Sequence, residues 1–160
     1  MFVAGGRVKN MIPVPTGLDE IVAIFGSIDD LAFEDKNIVL FDLPYPLIYT
    51  GKEVKRSRCH CLLVEVFQEI FQEIKNKGLE DEAKNFGGIY ARRSIRDRPS
   101  FPSTHSFGIA IDLEPQKYPL GSDKRMPEEL IKTFEQWGFF YGGDFKSRKD
   151  PQHFQYAKNY

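Results

Sequence analysis

The sequence predicts one α+β domain, and three observations carry that prediction. An apolar stripe with helical period runs through residues 57–77, and short period-2 strands fall later, at 103–112 and 153–156. No repeats, low-complexity tracts or linkers divide the chain. A chain of 160 residues is long enough to bury a real core within a single domain, 1–160.

Taken in order, residues 1–15 hold Gly5, Gly6, Pro13 and Pro15 and read as an irregular N-terminal arm. A short helix follows, with Thr16 as N-cap, Asp19 in its first turn, Leu18, Ile21, Val22 and Phe25 as its stripe and Gly26 as its stop. Residues 37–43 are apolar and β-branched enough for a strand, after which Pro44 and Pro46 force an extended path. Leu62, Leu63, Val66, Phe67, Ile70, Phe71 and Ile74 give the second helix its buried face, and Gly78 ends it. Cys59 and Cys61 flank His60 in that predicted helix, a spacing that suits neither a disulfide nor the usual cysteine pairs of structural zinc.

Residues 86–90 read as a strand, followed by Arg92, Arg93, Arg96 and Arg98. Most of that cluster reads as a solvated loop, while a fork of donors matched to a carboxylate suits at least one of the four. Residues 108–112 alternate, sending Ile109 and Ile111 to the core and Gly108, Ala110 and Asp112 to the opposite face. Pro127, Glu128 and Glu129 open a last helix whose buried face is Leu130, Ile131, Phe134 and Trp137. A short strand at 139–141, a turn at Gly142-Gly143 and a final strand at 153–156 complete the chain, with His153 and Gln155 sharing one face.

The charge balance excludes several partners. Lys and Arg number 22 against 23 Asp and Glu, a net charge of −1, so no global basic field points to nucleic acid or an anionic membrane. No apolar run approaches a membrane span. Residues 1–4 are too short for a signal-peptide core and Gly5-Gly6-Arg7 interrupts them, so the chain is expected to be made in the cytoplasm without a signal peptide.

The chain has three histidines, His60, His105 and His153. Two imidazoles and one carboxylate would leave a fourth tetrahedral position open, which separates a catalytic zinc site from a closed structural one. His105 with Asp112, and His153 with Asp150 three residues before it, supply such a set; otherwise they are ordinary strand-end and surface groups with no metal. Two histidines and a carboxylate also make the triad of non-haem iron oxygenases, but that group spaces its first pair as His-x-Asp, whereas His105 and Asp112 lie seven positions apart.

Ser103-x-His105-x-x-Gly108-x-Ala110-x-Asp112, then Gly142-Gly143-Asp144-Phe145 and Asp150-x-x-His153-Phe154-Gln155, resemble the VanY-type D-alanyl-D-alanine carboxypeptidases. That family includes the L-alanyl-D-glutamate endopeptidases of phage lysins. The resemblance extends through Gly87-Gly88-Ile89-Tyr90 to Arg93 and Arg96, and to Pro44-Tyr45-Pro46-Leu47 and the Cys59-His60 segment, covering most of the chain from about residue 14. It implies a small antiparallel sheet carrying a zinc site against a few helices, as in the hedgehog signalling domain.

It also implies that His105, Asp112 and His153 bind Zn2+, that Asp150 is the general base, and that Arg93 and Ser103 contact substrate. The implied substrate is a peptidoglycan stem peptide, cut by a monomer that acts on the cell wall or periplasm once released or exported. The same fold without turnover would be a zinc-binding recognition module. Ser94, Asp97 and Gln152 depart from the family's frequent proline, glycine and methionine, and the first two bear on the geometry of the arginine loop.

Overall fold

A computed structural model of the chain describes residues 2–4, 7–9 and 11–160, the first two segments by backbone alone. The fold is α+β, as the sequence predicts. The arm is not irregular throughout, since β1 (Phe2–Ala4) and β2 (Arg7–Lys9) pair antiparallel. The sequence expectations resting on Met1, Gly5 and Gly6 lie outside the described residues. Helix α1 (Gly17–Phe25) begins at Thr16 as expected, but the Thr16 hydroxyl makes no cap; instead its N–H donates to Glu20 Oε2 at 2.7 Å. A short helix that the pattern does not announce, α2 (Phe33–Asn37), buries Phe33.

The largest departure is a long ribbon. Strand β3 (Ile38–Tyr49) runs on past Pro44 and Pro46, and β4 (Lys52–His60) returns beside it. The register shifts between Asp42 and Leu47, so the prolines sit where the ladder is already broken. Thr50 and Gly51, both with positive φ (48° and 76°), close the ribbon. Residues 57–60 are therefore strand, residues 61–63 form a 3-10 turn, and α3 is confined to Val64–Asn76. Leu62 is correspondingly exposed, while Val66, Phe67, Ile70, Phe71 and Ile74 are buried as expected.

The second half builds a four-stranded antiparallel sheet from β5 (Phe86–Gly88), β8 (Ala110–Leu113), β10 (His153–Gln155) and β9 (Phe140–Tyr141), in that order. Between them β6 (Ser94–Ile95) and β7 (Arg98–Pro102) form a separate hairpin. One face of the sheet is core. Phe154 stacks on Phe134 of α4 (Glu128–Gln136) with ring centroids 4.0 Å apart, and Phe139 and Tyr156 pack edge-on beside them. The other face carries the conspicuous polar groups. Among the described residues no helix is long and apolar enough to cross a membrane.

Candidate metal centre

Strand register brings the first two candidate ligands together. Asp112 and His153 are direct partners across the β8–β10 ladder, so their side chains leave the same face of the sheet, with Ala110 and Gln155 as the next pair on that face. Ile111, opposite Phe154, turns to the core. The sequence reading of residues 108–112 as continuous strand needs one correction. Gly108 has φ 70° and ends a 3-10 turn at Thr104–Phe107, so the strand itself begins at Ala110. A Cβ there would lie 2.7 Å from the His60 nitrogen, which is why this reversal takes glycine.

His105 comes from that 3-10 turn rather than from a strand. Ser103 caps it, its hydroxyl accepting from the His105 N–H at 3.3 Å. Ser106, one residue on, holds the arginine segment: its hydroxyl donates to the Arg93 carbonyl (2.7 Å) and accepts from the Arg93 N–H (3.0 Å). Arg93 is thus tied by its backbone to the turn that bears His105, and its Nη2 lies 3.6 Å from Asp112 Oδ2.

His105, Asp112 and His153 are all buried, and each offers one ligand atom within 4.8 Å of the others. His105 Nε2 is 3.2 Å from His153 Nδ1 and 3.2 Å from Asp112 Oδ2, and His153 Nδ1 is 2.9 Å from Asp112 Oδ1. Ligand bonds near 2.1 Å in tetrahedral geometry place donor atoms about 3.4 Å apart, so this spacing fits one ion.

The outer nitrogens settle which atoms face inward. His105 Nδ1 lies 2.8 Å from the Ile89 carbonyl, which can only accept, so Nδ1 carries the proton and Nε2 keeps its lone pair. His153 Nε2 lies 2.9 Å from Gln155 Oε1. The Gln155 amide nitrogen donates to the carbonyls of Tyr160 (3.0 Å) and Ala157 (3.3 Å), which fixes Oε1 toward His153 and leaves His153 Nδ1 for the ion. Thr104 adds a hydroxyl donor to the same oxygen at 3.2 Å. Gln155 and Thr104 escape the sequence reading as site residues; the one available signal is that Gln155 shares a strand face with His153.

The charges agree with a cation site. Burial works to raise the Asp112 carboxyl, but His105 and His153 outweigh it and hold the group far below the usual carboxylate range. Burial likewise opposes charging of His153, and the Asp112 carboxylate reverses that, raising the imidazole above its ordinary value. Gly87 makes room for the arrangement, since a Cβ at this position on β5 would fall 2.8 Å from the Asp112 Cβ.

Asp150 stands beside the cluster without joining the ligand set. Its N–H donates to the Gly142 carbonyl at 2.9 Å and its carbonyl accepts from the His153 N–H at 3.0 Å. Tyr141 steadies the segment by donating its hydroxyl to the Pro151 carbonyl at 2.9 Å. Burial pushes the Asp150 carboxyl above the usual range, and Asp112 pushes the same way against the offsetting charges of His153, His105 and Arg93. Among the described residues, Asp150 Oδ1 is the buried side-chain oxygen left with no hydrogen-bond partner. A buried carboxylate oxygen with no partner costs stability, which marks it as a group held ready for something else.

His60 is outside this site. It is buried in the core, with Nε2 donating to the Phe25 carbonyl (2.8 Å) and Nδ1 accepting from the Leu62 N–H (3.2 Å), so both nitrogens are spent. Of the four arginines, Arg93 alone reaches a candidate ligand; Arg98 stacks on Phe101 with 4.1 Å to the ring centroid, and Arg92 donates to the Ile28 carbonyl. Asp97 has φ 69°, which explains why glycine would suit its place, and it pairs with Arg148.

Comparison with known proteins supplies one finding. Neither a curated protein nor a solved structure matches the chain. Residues 96–156, less than half of the sequence, match a family model described as D-alanyl-D-alanine carboxypeptidase, and that segment holds His105, Asp112, Asp150 and His153 but not Arg93.

Proposed function

We propose that this chain is a zinc-dependent peptidase that hydrolyses the stem peptides of peptidoglycan, at the L-alanyl-D-glutamate or the D-alanyl-D-alanine bond. One observation carries the reading: three buried donors spaced for a single ion stand beside Asp150, whose inner oxygen has no partner. The match of residues 96–156 supports the same class of enzyme.

His105 Nε2, His153 Nδ1 and an Asp112 oxygen would hold the ion. Zinc bound there supplies Lewis acidity and a water of lowered pKa. The chain's own residues do the rest. Asp150 takes the proton of the attacking water at Oδ1 and returns it to the leaving amine, work worth about 10²–10⁴-fold. Its raised proton affinity suits the second half of that cycle. Arg93 sets a guanidinium against the charge that grows on the substrate carbonyl oxygen. Ser103 holds the His105 turn with its hydroxyl oxygen and keeps its O–H for the substrate backbone. The proposed unit is a monomer, acting on the wall after release or export.

The test is digestion of purified peptidoglycan by zinc-loaded protein, with products read by mass spectrometry. The reading requires fragments cut at one of the two named bonds, loss of cutting with a chelator and recovery with zinc. Protein that carries one zinc and releases nothing would instead be a recognition module, and the enzyme reading would fall.

A further inference from the structure

Tyr160 joins the supports of both imidazoles, although it stands outside residues 96–156, which carry the family match. Its backbone carbonyl accepts from the Gln155 amide nitrogen at 3.0 Å and, with the Ala157 carbonyl, turns Gln155 Oε1 toward His153 Nε2. Its hydroxyl donates to the Pro102 carbonyl. The same peptide unit carries the Ser103 N–H, which donates to the Arg93 carbonyl at 2.9 Å, and Ser103 caps the turn that bears His105. One half-buried residue therefore bonds to a support of each histidine.

The backbone is shaped for this. Asn159 has φ 49°, in the left-handed region that asparagine tolerates, and the chain returns there toward Gln155. Lys158 is pinned separately, its N–H donating to the Pro15 carbonyl at 2.8 Å and its carbonyl accepting from the Gly17 N–H at 3.0 Å. Docking of this segment thus has anchors other than the Tyr160 side chain, and what Tyr160 adds falls on the two neighbours it bonds.

We propose that Tyr160 is a positioning residue for the metal centre, its carbonyl holding the Gln155 amide and its hydroxyl holding the His105 turn. Both imidazoles then present their inner nitrogens at the spacing one ion needs. The inference rests on the metal-site part of the reading above and adds a residue that touches neither ion nor substrate. Without the Tyr160 carbonyl the Gln155 amide is free to turn over. Its N–H would then meet the His153 Nε2–H, donor against donor.

The experiment measures zinc affinity of Tyr160→Phe and Tyr160→Ala by chelator competition, alone and in the Gln155→Leu background, with circular dichroism to check the fold. Removing the hydroxyl alone should weaken zinc about threefold, the scale of one neutral hydrogen bond. Tyr160→Ala also unseats the carbonyl and should weaken it about tenfold, the lower end for outer-sphere partners. In the Gln155→Leu background its effect should shrink to about threefold, because the amide it steadies is gone. Unchanged affinity in both variants, or an equally large loss from Tyr160→Ala in that background, would overturn the clamp. Tyr160→Phe keeps the ring and its packing, so it decides the hydroxyl arm even where Tyr160→Ala fails to fold.

A second arm needs no metal. Nitrogen NMR of the imidazoles in metal-free protein should show His105 shifted by Tyr160→Phe, and both His105 and His153 shifted by Tyr160→Ala. His60, whose ring bonds the backbone of Phe25 and Leu62, should stay in place. Wild type that holds no zinc fails the metal-site reading by itself, and the clamp is then judged on this arm. Ring signals that do not move, or that move together with His60, would overturn it.

Discussion

The metal centre and the arginine hairpin next to it are built in opposite ways. In the centre, each imidazole spends its outer nitrogen on a fixed acceptor, Ile89 O or Gln155 Oε1, and Asp112 and His153 face each other across a buried ladder. The hairpin of β6 and β7 is mostly exposed, and its polar side chains meet solvent-facing partners such as Arg148 for Asp97 and Phe101 for Arg98. The candidate ligands sit on buried sheet and on a capped 3-10 turn beside it, while the hairpin's polar groups sit on an exposed loop that tolerates change.

This contrast orders the expected effects of mutation. Replacing a ligand is the most severe: His153→Ala should lose both zinc and hydrolysis, its affinity loss exceeding the roughly 10–100-fold typical of outer-sphere changes. Metal content after dialysis reads this directly. Asp150→Ala should keep zinc and fold yet lose hydrolysis by about 10²–10⁴-fold, because the role proposed for Asp150 is to move protons without binding the ion. Removing its orphaned oxygen should also leave stability equal or higher, which urea denaturation checks. A well-folded variant that cut peptidoglycan at the wild-type rate would end the assigned role.

Gln155→Leu comes next. It leaves the buried His153 Nε2–H only the more distant Thr104 hydroxyl, at 3.5 Å, in place of the Gln155 oxygen at 2.9 Å, and zinc affinity should fall about 10–100-fold, measured by competition with a chromophoric chelator. A hairpin change such as Arg98→Gln should leave zinc affinity unchanged, which is the sharpest form of the contrast.

The smallest expected effect lies away from both regions. Burial lowers the proton affinity of His60 below its ordinary value despite the offsetting bond to the Phe25 carbonyl, so the folded chain keeps it neutral. The unfolded chain protonates it near pH 6.5. Its stabilisation is therefore complete above about pH 6.5 and is lost as pH falls through the lower folded value. Urea midpoints of zinc-loaded wild type should drop from pH 7 to pH 5 by more than those of His60→Gln.

The two regions also differed in legibility. His105, Asp112, His153 and Asp150 stand out through the two spaced motifs that resemble the carboxypeptidase family, each residue being ordinary by itself. The ribbon did not. Strand β4 reads Lys-Glu-Val-Lys-Arg-Ser-Arg, with no apolar alternation, because it lies on one side of a two-stranded ribbon and meets solvent over most of its length. With no strand signal of their own, residues 57–63 read as a backward extension of the α3 stripe. Gln155 was legible as a face and illegible as a role, since only the carbonyls of Ala157 and Tyr160 show which way its amide points.

The central claim is one ion gripped by residues 105, 112 and 153. X-ray absorption at the zinc edge, with metal analysis, on protein purified without added metal tests it most directly. The account predicts one zinc per chain with two imidazole nitrogens, oxygen donors and no sulfur. Iron in place of zinc, a sulfur ligand from Cys59 or Cys61, or no tightly held metal would contradict it.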